Sequence, residues 1–232
     1  MTIRVSARAV FRVLASIVFA LIIAHILSQS AIRYLPLRWA AGELLSRLDL
    51  EQEISVPTWF SQSILLLAAA ILALIASQSR IRKESDRNHW TGLALIFLYL
   101  SIDEGASLHE IAVLPMRRML GIHNSFLVLS WIIPAAILVI VFVIVYLRFW
   151  WRLPRPIRFR FAVAGATYVG GALIVEAFSS AFVARYGMDH FGLILMRVWE
   201  EGMEMAGVCM FIDALLLHAG QIMPAVQVRL SR

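Results

Sequence analysis

The sequence predicts an all-α membrane protein with six transmembrane helices, and both composition and segment length support this prediction. Of the 232 residues, 61% are hydrophobic and 16% are charged, with a mean hydropathy of +0.80. Soluble domains are about half apolar and about a quarter charged. A chain this apolar cannot hide its hydrophobic surface in a water-soluble core of this size, so lipid is its expected solvent.

Six apolar segments are each long enough to cross about 30 Å of hydrocarbon. The first begins after a short arginine-bearing stretch, but it exceeds the about 7–15 apolar residues of a signal peptide, so we expect a retained helix. The segments form one transmembrane domain over residues 1–232. The predicted spans are residues 10–30, 58–78, 90–113, 126–149, 161–183 and 193–218.

The long connection between the first two spans contains a further helical pattern. Trp39, Leu44 and Leu48 recur at the spacing of one helix face, with polar residues between them. This pattern is typical of an amphipathic helix that lies in the membrane interface. We therefore expect such a helix at about 38–50, on the outer surface of the membrane.

The distribution of basic residues predicts the orientation. Two thirds of the 21 Lys and Arg residues flank one side of the six spans. The positive-inside rule places that side, with both termini, in the cytoplasm of a multi-pass protein of the inner membrane, as in a bacterium. The net charge of +6 is thus a feature of topology, and membrane lipids are expected partners whereas nucleic acid is not.

Ionisable residues within the predicted spans are the strongest functional signal, because charged side chains are costly in a bilayer. At about 1.5 Å per residue, several of them lie at a similar depth, about 20 Å from the cytoplasmic ends of their helices. We expect them to meet in the outer half of the membrane. The ionisable residues are His25; Asp103, Glu104, His109 and Glu110; Glu176; and Arg197, Glu200, Glu201 and Glu204, and the polar Ser107 lies among them.

The charge balance of this group points to bound cations. Seven carboxylates face one certain basic partner, Arg197, within the spans. They cannot all be ionised in a dry pocket. They must be protonated, hydrated or neutralised by cations.

A divalent-metal site is the favoured interpretation, since carboxylates with one or two imidazoles suit iron or manganese, with zinc also possible. Such a metal could support hydrolysis or redox chemistry on a lipid-like or quinone-like substrate. Asp103 or Glu110 would then act as the catalytic base or hydrogen-bond to a metal ligand, with Glu201, Arg197 and Ser107 as polar neighbours. The predicted ligands are Glu104, Glu176, Glu200 and Glu204, completed by His25 or His109.

Two other functions fit the same residues. The carboxylates could carry protons or cations through a transporter, although the inner half of the spans has no continuous polar stripe. The chain could also be an accessory subunit of a membrane complex, with the charged residues holding its helices together. The sequence leaves these alternatives, the activity as an enzyme and the oligomeric state open.

Overall fold

Every regular element is helical in the computed structural model, which describes residues 6–36, 38–108, 111, 132–187 and 191–223. The all-α prediction is confirmed for these residues. The sixth helix is built from three consecutive parts, the middle one a π-helical turn. The seven described helices are α1 (Ala7–Tyr34), α2 (Trp39–Ser46), α3 (Val56–Ile81), α4 (Arg87–Ala106), α5 (Ile132–Arg152), α6 (Arg155–Val169, Gly170–Val175 and Glu176–Tyr186) and α7 (Phe191–Ile222).

Five of the described helices are long and apolar enough to cross a membrane: α1, α3, α5, the Arg155–Val183 part of α6, and α7. The chain is therefore built as a multi-pass membrane protein. The 20 residues of α4 would extend about 30 Å, but α4 is not among the five, since Arg87, Asn88 and His89 at its start and Asp103 and Glu104 near its end leave a shorter apolar stretch. The sixth span over 90–113 remains a prediction, and the predicted start of the fourth span at 126 lies outside the described residues.

The helix ends follow from local chemistry. Ser55 caps α3 by accepting a hydrogen bond from the Thr58 N–H at 3.2 Å, and Pro57 occupies the first turn, where no amide donor is needed. The C-terminal end of α4 has a different cause: the helix ends because Ser107 adopts a left-handed conformation with φ of 47°. The helix expected to run without interruption over 90–113 is thus broken at Ser107.

Helix α7 is the central element of the bundle, because it packs against α1, α3 and α6, while α3 packs along α4. Its buried apolar residues Ile212 and Leu215 belong to the same hydrophobic core as Leu72 and Ile75 of α3. By contrast, α5 leaves most of its apolar side chains exposed. Such a surface is expected of a helix whose solvent is lipid.

Ion pairs and hydrogen bonds tie the helix ends together on one side, which we call the arginine-rich end. Arg82 donates to the carbonyl oxygen of Ile222, Arg152 pairs with Asp86, and Arg160 Nη1 lies 2.6 Å from Asp213 Oδ2. This is the side that the sequence assigns to the cytoplasm, an orientation that remains a prediction.

The helix expected at about 38–50 is shorter than predicted. It ends at Ser46 and has no buried residue, with Trp39 and Leu44 largely exposed, as an interfacial helix requires. Residues 47–55 instead form a loop that packs on the bundle. The reason is that several of their polar groups bond to α1 and α7, which competes with continuing the helix.

Candidate functional site

Acidic side chains from α4, α6 and α7 meet in the half of the bundle away from the arginine-rich end. Glu204 interacts electrostatically with Glu104 on α4, with Glu176 on α6, and with Glu200 and Glu201 on its own helix. Glu201 interacts with Glu104, Glu176 and Glu200 as well. We refer to Asp103, Glu104, Glu176, Glu200, Glu201 and Glu204 as the acid cluster.

Tyr168 lies among these acids, and the sequence did not single it out. It interacts electrostatically with Asp103, Glu104, Glu201 and Glu204. The fit is close, since a Cβ added to Gly207 would lie 2.7 Å from the Tyr168 backbone nitrogen. A single tyrosine in an apolar helix forms no spacing pattern that would mark it as a site residue. Its position two residues before Gly170-Gly171, in the helix that carries Glu176, is the signal that could have found it.

The π-helical turn of α6 lies directly against α7. A Cβ added to Gly171 would lie 2.7 Å from the Glu200 carbonyl oxygen and 3.1 Å from Glu204 Cγ, so only glycine allows this approach. A π turn contains one residue more than an α turn and is frequent at functional sites. Glu176 follows the turn directly and is buried, 8% exposed.

The next turn of α6 carries two buried serines with different surroundings. Ser179 Oγ donates a hydrogen bond to Glu200 Oε2 at 2.9 Å, which ties α6 to α7. Ser180 is 4% exposed, and its Oγ has no hydrogen-bond partner among the described residues. A buried hydroxyl without a partner is costly, and the two serines therefore differ in what they contribute to the fold.

Residues 47–55, which we call the strap, connect to α1 on one side of the cluster. His25 Nδ1 accepts a hydrogen bond from the Leu50 N–H at 3.1 Å, and Gln29 Nε2 donates to Asp49 Oδ2 at 3.0 Å. Leu50 is buried, 2% exposed, and His25 is fully buried. The strap is thus a fixed part of the structure.

The strap also contacts α7 through Arg197, the residue that the sequence analysis paired with the intramembrane acids. Arg197 forms its ion pair with Glu51 of the strap, and it interacts electrostatically with Asp49 and Glu200. The charge balance predicted from the sequence treated Arg197 as a partner of the intramembrane carboxylates only. Since Glu51 is its closest partner, Arg197 offsets less of the cluster's negative charge than that count assumed.

Helix α3 forms another wall of this region. Ser101 Oγ of α4 donates to the Gln62 carbonyl oxygen at 3.0 Å. A Cβ added to Gly105 would lie 2.5 Å from Gln62 Nε2, so the amide side chain lies against the turn of α4 that carries the acids. This contact places a neutral hydrogen-bonding group next to Asp103 and Glu104.

The bundle is apolar between the acid cluster and the arginine-rich end. On α7 the residues after Glu204 include Met205, Val208 and Ile212, which are all buried. Ala68 and Leu72 of α3 are fully buried in the same core. We call this layer the apolar floor, because among the described residues it separates the cluster from the polar groups at the other end.

Glu204 interacts electrostatically with three other predicted ligands, Glu104, Glu176 and Glu200, whereas His25 lies at the strap. His109 and Glu110 lie outside the described residues, and Ser107 lies at the break after α4. In the part of the chain that the structure describes, no three His, Cys, Asp or Glu side chains converge closely enough to hold a metal ion. A preformed metal centre is therefore not seen there.

A family model matches residues 11–219, which include every described member of this site. The chain belongs to the DUF8692 family. This family is described as a domain of unknown function, so the match assigns no activity. No curated protein and no solved structure matches the chain.

Proposed function

We propose that this protein binds cations within the membrane at the acid cluster and uses them for metal-dependent chemistry on a lipid-like substrate. The observation that supports the proposal is that Glu201 and Glu204 interact electrostatically with each other and with Glu104, Glu176 and Glu200, while Arg197 forms its ion pair with Glu51. Several interacting carboxylates in a low-dielectric interior cannot all remain ionised without compensation.

Carboxylate oxygens indicate which cations would compensate. They are hard ligands that suit manganese, iron or magnesium better than soft metals. In the proposed site Glu104, Glu176, Glu200 and Glu204 are the ligands, with His25 or His109 as a nitrogen donor. Their side chains must rotate toward a common point, which the several rotatable bonds of a glutamate allow.

The apolar floor favours chemistry on one side of the membrane over transport through it. A conducted ion would need polar groups along its path, and Met205, Val208 and Ile212 offer none. A cluster closed on one side and bordered by lipid-facing helices suits a substrate that enters from the bilayer. Hydrolysis and redox reactions of a lipid or quinone are the corresponding reaction classes, and Asp103 or Glu110 is the proposed base.

Metal analysis tests this proposal. We expect protein purified without chelators to retain manganese or iron, or to bind added Mn²⁺, and Glu204→Gln and Glu104→Gln to lose most of it. Asp213→Asn is the matched control, because it also removes one carboxylate charge but lies at the arginine-rich end beside Arg160. A folded wild-type protein that neither retains nor binds any of these metals would refute the proposal.

Cation- or proton-coupled transport is the second candidate, and one observation favours it. Ser79 Oγ and His218 Nδ1 are both buried near the arginine-rich end without a hydrogen-bond partner in the described part of the chain. Unsatisfied polar atoms beyond the apolar floor are where a proton pathway would continue. Proton or Mn²⁺ flux into proteoliposomes that disappears with Glu204→Gln would favour transport, whereas metal binding without flux would favour the one-sided site.

A further inference from the structure

The turn between α5 and α6 concentrates positive charge at a membrane surface. It joins two helices that are long and apolar enough to cross a membrane, so it lies at the level of the lipid headgroups. Positive charge at such a place is balanced either by carboxylates of the protein or by anions from its surroundings. Five arginines belong to this turn and its flanks: Arg148, Arg152, Arg155, Arg158 and Arg160.

Two of the five arginines hold the helix ends together. Arg152 pairs with Asp86, and Arg160 Nη1 lies 2.6 Å from Asp213 Oδ2. The other three have no carboxylate partner in the part of the chain that the structure describes, and none of them is fully buried. Their guanidinium groups are therefore available to an external anion. These three are Arg148, Arg155 and Arg158.

Two tryptophans fix the side chain of Arg158. Its Cζ lies 4.5 Å from the ring centroid of Trp151 and 5.3 Å from that of Trp150. Arg158 Nη1 donates to the Trp151 carbonyl oxygen at 3.3 Å, and Trp150 Nε1 donates to the Arg158 carbonyl oxygen at 2.9 Å. A guanidinium has five N–H donors, so most remain free, and a side chain already held in place loses little entropy when it binds an anion.

The contact between Arg158 and Trp151 joins the faces of the two helices. Arg148 precedes Trp151 by one turn of α5, and Arg155 precedes Arg158 by one turn of α6, so each pair shares a helix face. The three arginines thus border one indole ring, which is 58% exposed. Tryptophan at such a position is typical of the headgroup region. We call Arg148, Trp151, Arg155 and Arg158 the arginine–tryptophan patch.

An apolar stripe continues from this patch along α5. Ile144, Val141 and Ile137 precede Arg148 at steps of one helical turn, and all three are exposed. At about 1.5 Å per residue the stripe extends about 16 Å from Arg148 toward the middle of the membrane. A molecule bound here meets guanidinium groups at one end and aliphatic side chains along the rest. A phospholipid has this distribution of charge, whereas a free phosphate ion does not.

We propose that the arginine–tryptophan patch binds the headgroup phosphate of an anionic phospholipid, with an acyl chain along the Ile137–Ile144 stripe. Arginine suits this role because its planar group can bind a phosphate through two parallel hydrogen bonds. A zwitterionic lipid is disfavoured, because its own cationic group would lie among three guanidinium groups. The site lies at the arginine-rich end and does not depend on the acid cluster.

Native mass spectrometry of the purified protein, titrated with phosphatidylglycerol or with phosphatidylcholine of the same acyl chains, tests the proposal. Wild type should bind phosphatidylglycerol more tightly. Arg148→Gln with Arg155→Gln should weaken that binding about fivefold for each arginine removed and leave phosphatidylcholine unaffected. Arg80→Gln with Arg87→Gln is the matched control, since these exposed arginines lie at the same end but outside the patch. Equal losses in the two double variants would overturn the proposal, because net charge alone would then explain binding.

Two measurements test the geometry and the ligand without the double variants. Arg158→Lys keeps the charge but loses the planar group that lies over Trp151, so phosphatidylglycerol should bind severalfold more weakly; unchanged binding would contradict a role for the fixed guanidinium. Soluble glycerol 3-phosphate should not displace phosphatidylglycerol from wild type at millimolar concentration, because it has no acyl chain to cover the stripe. Displacement by glycerol 3-phosphate, or equal affinity of wild type for the two lipids, would overturn the assignment to an anionic lipid.

Discussion

Ser179 and Ser180 show, at the scale of single residues, that two side chains can be equally buried and still differ in hydrogen bonding. Both are neighbours on α6 and both are more than nine-tenths buried. Of the two, only Ser179 has an acceptor within the described part of the chain, Glu200 Oε2. The difference matters because a buried hydroxyl stabilises a fold only when it is paired.

Alanine substitution should therefore change the free energy of unfolding differently at these two positions. We expect Ser179→Ala to lower the free energy of unfolding by about 1 kcal/mol or somewhat more, since the hydrogen bond to a carboxylate is lost. Ser180→Ala should leave it unchanged or raise it, because an unpaired hydroxyl is removed. Unfolding in detergent, in the absence of added metal, measures both. Equal losses in the two variants would contradict the hydrogen-bond assignment.

The Arg197–Glu51 ion pair should contribute only modestly, because the Glu51 side chain is 54% exposed. Exposed pairs are typically worth about 0–1 kcal/mol and weaken with salt. We expect Glu51→Gln to speed amide exchange in the strap at low salt, with a smaller difference at about 1 M salt. Glu53→Gln, another exposed acid in the same strap, is the matched control. A large effect of Glu53→Gln would show that net charge and not the pair holds the strap.

Among the secondary-structure elements, α6 is the one whose geometry creates the site. Its π turn lets Gly171 lie against the Glu200 backbone, and Gly207 of α7 in turn accommodates Tyr168. The two close approaches bring Tyr168 and Glu176 to the acids of α7. Small residues serve the same purpose wherever membrane helices must approach closely.

Alanine at Gly171 tests this approach. Its Cβ would lie 2.7 Å from a backbone oxygen that cannot rotate away, so we expect a loss of about 1–3 kcal/mol in unfolding free energy and weaker Mn²⁺ binding. Gly165→Ala, in the same helix with no atom within 4 Å of its added Cβ, should be neutral or slightly stabilising. If both variants behaved alike, the close contact between α6 and α7 would be in doubt.

The ends of some helices could be predicted from the sequence and those of others could not, and the difference has physical reasons. The apolar run of α3 predicts residues 58–78; the helix begins two residues earlier, at Val56, because Ser55 caps it and Pro57 fits its first turn, and it continues to Ile81. The end of α4 could not be predicted, since Ser107 takes a left-handed conformation that no residue type demands. The strap was also missed, because its contacts join distant parts of the chain and leave no local periodicity.

The whole molecule is polarised along its length. Arginines and their ion pairs gather at one end, an apolar floor follows, and the acids occupy the other half. The number of residues between each acid and the cytoplasmic end of its helix predicted that the acids of three helices lie at a similar depth in the membrane. It could not predict the pairing of Arg197 with Glu51 or the place of Tyr168, since both depend on how the helices rotate and approach.

The topology provides a test on this scale. Helix α4 starts at the arginine-rich end, where Asp86 pairs with Arg152 and Trp90 stacks on His218, and it ends in the acid half. If it crosses the membrane as the sixth span, both termini lie on the same side. We expect fusions of a cytoplasm-dependent fluorescent reporter to either terminus to be active. Activity at only one terminus would mean that five helices cross.

The π turn also has an evolutionary consequence. Because it holds one residue more than an α turn, it corresponds to a single-residue insertion in an otherwise regular helix. A relative without that residue would rotate the position equivalent to Glu176 by about 100°, from α7 toward lipid. We expect such relatives to carry an apolar residue there, so that a gap between 170 and 175 in an alignment and the loss of the acid occur together.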